Sequence, residues 1–130
     1  MKKPTALAIT ELKPENDYSA ELLYSELFRI YDQIRKERRI EVFGNLDFEV
    51  VEKIDNKKHR IAKLKGNKIL VQLNAVRLPK SALRYIVAHE LAHTLTKRHT
   101  RRFWKVVETI YPRFDVGQNL LMKYGSRFQG

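Results

Sequence analysis

The sequence predicts one α+β domain, with a small β-sheet between an N-terminal helix and a group of C-terminal helices. A length of 130 residues suits a single domain, 1–130. Apolar residues recur at helical spacing over 17–39 and again after residue 80. Between them, over 40–74, apolar and polar residues alternate and turn signals recur, as in short strands. The order of helix, strands and three helices indicates the α+β class.

The first element is a helix from Asp17 to about Arg39. Residues 1–16 contain Pro4 and Pro14 and show no sustained period, so we expect an irregular N-terminal segment. After Asp17 the apolar positions form one helical stripe, opposite charged residues. The stripe consists of Leu22, Leu23, Leu27, Ile30, Tyr31 and Ile34.

A small antiparallel β-meander of three to four strands follows this helix. Gly66 and Asn67 both tolerate positive φ, so they predict a two-residue hairpin loop. The predicted strands are 40–43, 46–52, 60–65 and 68–74. His59 lies at a strand edge or turn and is expected to be a surface residue.

Three helices complete the chain. The first runs from Lys80 to about Thr96 and is apolar over much of its surface, which indicates burial. Thr100 can cap a second helix, which Pro112 stops, and a short third helix follows.

The chemically most specific stretch is His-Glu-Leu-Ala-His, residues 89–93, followed by His99. Histidines four apart on a helix share a face, so both imidazoles can reach one Zn²⁺ at roughly 2.0–2.1 Å. Glu90 lies beside the pair and can hydrogen-bond a water there without becoming a ligand. His99 supplies a third ligand if the helix ends before it, and the open fourth position is typical of catalytic sites. The alternative is a buried helix whose histidines are hydrogen-bonded core residues.

The amino-acid composition limits the kinds of metal ligand, cellular location and partner that this protein can have. There is no cysteine, so disulfides and thiolate metal sites are excluded. No stretch approaches ~18 consecutive apolar residues, so we expect no membrane association and a cytoplasmic protein. The net charge of +11 is uneven, because residues 57–130 hold seventeen Lys or Arg and three Asp or Glu. That half would attract nucleic acid, a nucleic-acid-bound protein or an acidic substrate, unless the charges are simply a solvated surface.

Residues 78–124 resemble the YgjP-like metallopeptidase family. The shared pattern is P-x5-Y-[IV]-[IV]-x-H-E-L-x-H-x5-H-[ST]-x-x-[FW]-[FWY], followed by a helix and a proline. WLM proteases share the spacing of the histidines, and SprT-like proteases have a longer gap to the third one. The matching positions here are Pro79, Tyr85, Ile86, Val87, His89, Glu90, His93, His99, Thr100, Phe103, Trp104 and Pro112.

The resemblance implies a zincin-like fold and a zinc-dependent metalloendopeptidase. His89, His93 and His99 would be the metal ligands and Glu90 the catalytic base. Protein or peptide would be the substrate, including proteins bound to nucleic acid, as for SprT and WLM relatives. Two other functions remain open: a basic nucleic-acid-binding module with a structural zinc, and a zinc hydrolase of a phosphorylated small molecule.

Overall fold

Four α-helices and a three-stranded mixed sheet form the fold in the computed structural model, which describes residues 6–38, 46–57 and 60–124. The predicted α+β class is confirmed. In chain order the elements are α1 (Ala6–Arg38), β1 (Asp47–Val51), β2 (Ala62–Lys65), β3 (Lys68–Gln72), a 3₁₀ turn (Leu73–Arg77), α2 (Lys80–His93), α3 (Arg101–Ile110) and α4 (Phe114–Lys123).

Helix α1 is longer than predicted. It begins at Ala6, so the prediction of an irregular segment over 1–16 is wrong for 6–16, while 1–5 lie outside the described residues. Pro14 does not end the helix, and strong helix formers (alanine, leucine, lysine and glutamate) dominate 6–13. The predicted apolar stripe packs on the core through its buried members, which are Leu23, Leu27, Ile30, Tyr31 and Ile34, whereas Leu22 is 48% exposed.

The sheet has the order β1-β3-β2. β2 and β3 form the predicted antiparallel hairpin across Gly66 and Asn67, and Gly66 has φ 63°. β1 pairs with β3 in parallel, from Asp47 opposite Lys68 onward. The antiparallel meander is therefore wrong for β1, and the predicted strand over 40–43 lies outside the described residues.

The position of β3 explains why β1 pairs in parallel and not as part of a meander. β3 buries Ile69 and Val71 completely and occupies the centre of the sheet, where both edges are paired. The connection from β1 turns at Asp55 and Asn56, both with positive φ, and carries the chain to the far edge. β2 thus becomes an edge strand, and it contacts α2.

Helix α2 lies at the centre of the molecule and contacts α1, β2, α3 and α4. Its residues from Ala82 to Ala92 are buried except Arg84, as the apolar pattern predicted. Helix α4 approaches it closely at Gly117, where a Cβ atom would collide with the Ser81 carbonyl oxygen and lie 2.8 Å from Tyr85 Cβ.

No helix in the described ranges is long and apolar enough to cross a lipid bilayer.

Candidate metal centre

Three histidine Nε2 atoms converge at the C-terminal end of α2. The distances are 3.2 Å from His93 to His89, 3.2 Å from His93 to His99 and 3.3 Å from His99 to His89. Ligand nitrogens arranged tetrahedrally around one Zn²⁺ at ~2.05 Å would be about 3.3 Å apart. The structure therefore brings together the three histidines selected from the sequence, in an arrangement that could hold a metal ion.

His99 reaches the other two histidines because α2 ends at His93. The Thr94 hydroxyl donates to the Leu91 carbonyl at 2.6 Å, and the amides of Leu95 and Thr96 both donate to Ala92 O at 3.0 Å. These bonds close the helix without glycine or proline. Thr100 then caps α3 as predicted, its hydroxyl accepting from the Phe103 amide at 3.4 Å.

The second ring nitrogen of two histidines is held by the protein. His93 Nδ1 lies 3.1 Å from the Thr96 carbonyl oxygen, which can only accept, so Nδ1 carries the proton and Nε2 keeps the lone pair that a metal would accept. His89 Nδ1 lies 3.0 Å from Tyr85 Oη, and Tyr85 Oη accepts from Gln118 Nε2 at 3.2 Å. Such partners fix the tautomer and ring orientation of metal ligands.

Tyr85 and Gln118 are functional candidates that sequence reasoning did not select. Tyr85 is buried on α2, which raises the pKa of its phenol above the usual value. A signal was present, because Tyr85 precedes His89 by four residues and so lies on the same helix face. Gln118 gave no local signal, since only the packing of α4 on α2 brings it to Tyr85.

Aromatic rings from α3 surround the histidines. The Phe103 ring centroid lies 4.6 Å from that of His93 and 4.9 Å from those of His89 and His99. Trp104 lies 5.9 Å from His89 and 6.1 Å from His99. This apolar wall restricts the imidazole rotamers and lowers the local dielectric.

Glu90 is completely buried beside the histidines. Burial raises the pKa of its carboxyl to about 8, opposed by the charge of Arg60 and by the backbone amide of Leu64. That amide is near enough to act electrostatically, but neither carboxylate oxygen has a hydrogen bond of ordinary geometry within the described chain. A carboxylate held this way is available to a polar group entering the site.

A cleft of about 740 Å³ opens beside Glu90 and His93. It extends along β2 and the Gly66–Asn67 turn, and the remaining lining residues are Leu46, Arg60, Lys63, Leu64, Thr94 and Lys97. Glu90 and His93 thus both border a space large enough for several side chains.

The donor set suits a borderline-soft divalent metal. Neutral imidazole nitrogens that point their lone pairs at one another repel unless a cation lies between them. Three nitrogen ligands leave a fourth tetrahedral position, as catalytic zinc sites do. His59, predicted to be unrelated to the site, lies outside the described residues.

Comparison with known proteins gives a family match and similar crystal structures. Residues 52–124, more than half of the chain, match the model of the YgjP-like metallopeptidase domain. The crystal structure of the metallopeptidase zymogen of Pyrococcus abyssi abylysin is similar, with a TM-score of 0.64 and 19% identity over 79% of this chain and 99% of that one. The zymogen of Methanocaldococcus jannaschii jannalysin gives a TM-score of 0.55 and 19% identity over 75% and 95%.

These two structures support the fold, and no curated protein sequence matches the chain. The family match covers the hairpin, the whole of α2 and α3, and the three histidines. The chain therefore belongs to the YgjP-like metallopeptidase family and is a peptide-bond hydrolase.

Proposed function

We propose that this protein is a zinc metalloendopeptidase in which His89, His93 and His99 hold the ion and Glu90 is the general base. The observation that supports it most is the near-equilateral triangle of Nε2 atoms, 3.2–3.3 Å on a side. Zinc suits three imidazoles and one open position in a chain without cysteine.

The residues around the centre have separable tasks. A Zn²⁺ ion bound there would lower the pKa of water towards ~7 and polarise the scissile carbonyl. Glu90 removes a proton from the attacking water and passes it to the leaving amine. Tyr85 and the Thr96 carbonyl keep the histidine rings oriented. The cleft beside Glu90 receives the peptide.

The test is hydrolysis of internally quenched peptides blocked at both ends, so that only an endopeptidase cleaves them. Glu90→Gln should retain zinc and lose at least ~100-fold in kcat/KM, as expected for removal of a general base. Glu108→Gln is the matched control, because Glu108 is exposed on α3. Equal activity of wild type and Glu90→Gln would contradict the proposed base.

The same variant separates the alternatives. A nucleic-acid-binding module with a structural zinc would be indifferent to Glu90→Gln, and it has no use for a buried carboxylate beside the ion. A hydrolase of phosphorylated small molecules would leave every peptide intact while cleaving phosphate esters.

We also propose that nucleic acid brings protein substrates to this enzyme. Five exposed basic residues flank His99: Lys97, Arg98, Arg101, Arg102 and Lys105. Arg101 and Arg102 occupy the first turn of α3, which has no acidic residue, and cations there oppose the helix dipole. Their placement does not stabilise the helix, which favours a binding role.

Salt dependence of duplex DNA binding tests this second proposal. Five phosphate contacts would give a slope of log K against log salt near about −4.5. Replacing Arg101 and Arg102 by Gln should reduce that slope by about 2, whereas the same replacement of Arg35 and Lys36 on α1 should not. A flat salt response would remove the proposal.

A further inference from the structure

The cleft beside the candidate metal centre is lined by three basic side chains. Arg60 and Lys63 come from the β2 side, and Lys97 comes from the loop between α2 and α3. On the basis of the peptidase function proposed above, we propose that this cleft is a specificity subsite that selects an acidic substrate residue next to the scissile bond.

Two of these cations share one counter-ion. Asp55 Oδ2 accepts from Arg60 at 2.7 Å, and Lys63 Nζ lies 2.9 Å and 3.1 Å from the two oxygens of Asp55. One carboxylate therefore faces two positive groups, and an excess positive charge remains. Lys97 adds another, because it makes no ion pair in the part of the chain that the structure describes.

These side chains differ from an ordinary solvated surface. The side chains of Arg60 and Lys63 are only 19% and 33% exposed. Their ion pairs with Asp55 hold them in place, so little side-chain entropy remains to be lost when a ligand binds. A preorganised guanidinium suits a carboxylate, which it can bind through two parallel hydrogen bonds.

Arg60 also has an N–H donor that is not hydrogen-bonded within the described residues. Its Nε atom is buried and finds no acceptor among the described residues. A buried N–H group without a partner is unfavourable, so a carboxylate in the cleft would gain a hydrogen bond and relieve that cost. The carboxylate of an acidic substrate residue can accept a hydrogen bond from this N–H group, whereas the ammonium group of a lysine cannot.

The subsite adjoins the reacting bond. Glu90 and His93 line the same cleft as the three cations. The positive charge of Arg60 lowers the pKa of Glu90 against the effect of burial, which places the guanidinium within electrostatic reach of that carboxyl. An acidic side chain held here belongs to a residue beside the scissile bond rather than to a remote part of the substrate.

A series of blocked, quenched peptides tests the inference. The peptides carry Glu, Gln or Lys, in turn, at each position flanking the cleaved bond. At one position we expect kcat/KM for Glu to exceed that for Gln about tenfold, since one charge-assisted hydrogen bond contributes roughly that much. Lys should be worse again, with the difference mainly in KM because the pairing exists before the chemical step.

Single variants assign the preference to the cleft. Arg60→Gln leaves the pair between Asp55 and Lys63, and it should bring the Glu-to-Gln ratio close to one. Lys97→Gln changes an exposed residue that has no ion pair with the described residues, and it should reduce the ratio severalfold. Lys123→Gln on α4 removes the same charge outside the cleft and should leave the ratio unchanged.

A binding measurement makes the result independent of turnover. Fluorescence anisotropy of labelled Glu, Gln and Lys peptides on zinc-loaded Glu90→Gln protein should show the same order. Equal affinities in this assay, or a preference that survives both Arg60→Gln and Lys97→Gln, would overturn the subsite. Cleavage that ignores the charge would overturn it too and leave the peptidase function intact. Absence of all peptide cleavage would instead contradict the peptidase function.

Discussion

His89 and His93 each use their two ring nitrogens for different purposes. Nε2 of His89 faces the Nε2 atoms of His93 and His99, and Nδ1 lies against Tyr85 Oη, which accepts from Gln118. In His93, Nε2 likewise faces the other two histidines and Nδ1 lies against the Thr96 carbonyl oxygen. At the scale of single residues, the geometry of the three histidines therefore depends on neighbours that are not themselves candidate metal ligands.

Tyr85→Phe should weaken zinc binding roughly 10–100-fold, the usual effect of losing such a partner. The ring volume is kept, so the core packing around α2 should survive. Competition with a chromophoric chelator measures the affinity. Tyr24→Phe is the control, because it removes a hydroxyl that donates to Asp47 and not to a histidine. An unchanged zinc affinity in Tyr85→Phe would show that the hydroxyl does not orient His89.

Glu90 should make the metal-free protein less stable as the pH rises. Its carboxyl has a pKa of about 8 in the fold and an ordinary value of 4.5. Between these values the folded state keeps a proton that the unfolded state releases, so the free energy of unfolding falls, at most by about 1.4 kcal/mol per pH unit. The stabilising contribution is complete below pH ~4.5 and lost above ~8.

Urea unfolding in chelator at several pH values measures this effect. Glu90→Gln removes the titrating group, and all other groups are common to both proteins. The stability of the variant relative to the wild type should therefore increase as the pH rises towards 8. A constant difference between the two proteins across this range would contradict the effect of burial on Glu90.

At the scale of elements, the site depends on how α2 ends and on how closely α4 approaches it. The helix closes through the Thr94 hydroxyl and two amides, and this brings the next loop back towards His93. Gly117 allows the contact between α4 and α2 that carries Gln118 to Tyr85. Both features support the candidate metal centre without contributing one of its three histidines.

Gly117→Ala should lower the free energy of unfolding by about 1–3 kcal/mol, because its Cβ collides with backbone and the helices must separate. It should also weaken zinc binding, since Gln118 moves away from Tyr85. Gly66→Ala should cost about 1–2 kcal/mol through its φ of 63° alone, with no neighbour within 4 Å and zinc affinity unchanged. Equal zinc affinity in the two variants would argue against the role of α4.

At the scale of the whole molecule, local sequence patterns predicted the helices and the site residues, but they did not predict contacts between residues that are distant in sequence. His89, Glu90 and His93 follow from helical spacing, and Thr100 from its position before α3. The parallel pairing of β1 with β3 joins residues about twenty apart and has no local signature. The cleft unites Arg60 with Lys97, which only the packing of β2 against α2 brings together.

Zinc stoichiometry most directly tests the central claim that three histidines hold one ion. Native mass spectrometry of the metal-replete protein should show one zinc per chain in the wild type. In His99→Ala, which changes an exposed residue and leaves the core intact, zinc should be lost or bound at least ~100-fold more weakly. Equal zinc retention in wild type and His99→Ala would contradict the three-histidine centre, as would a wild-type protein that takes up no zinc.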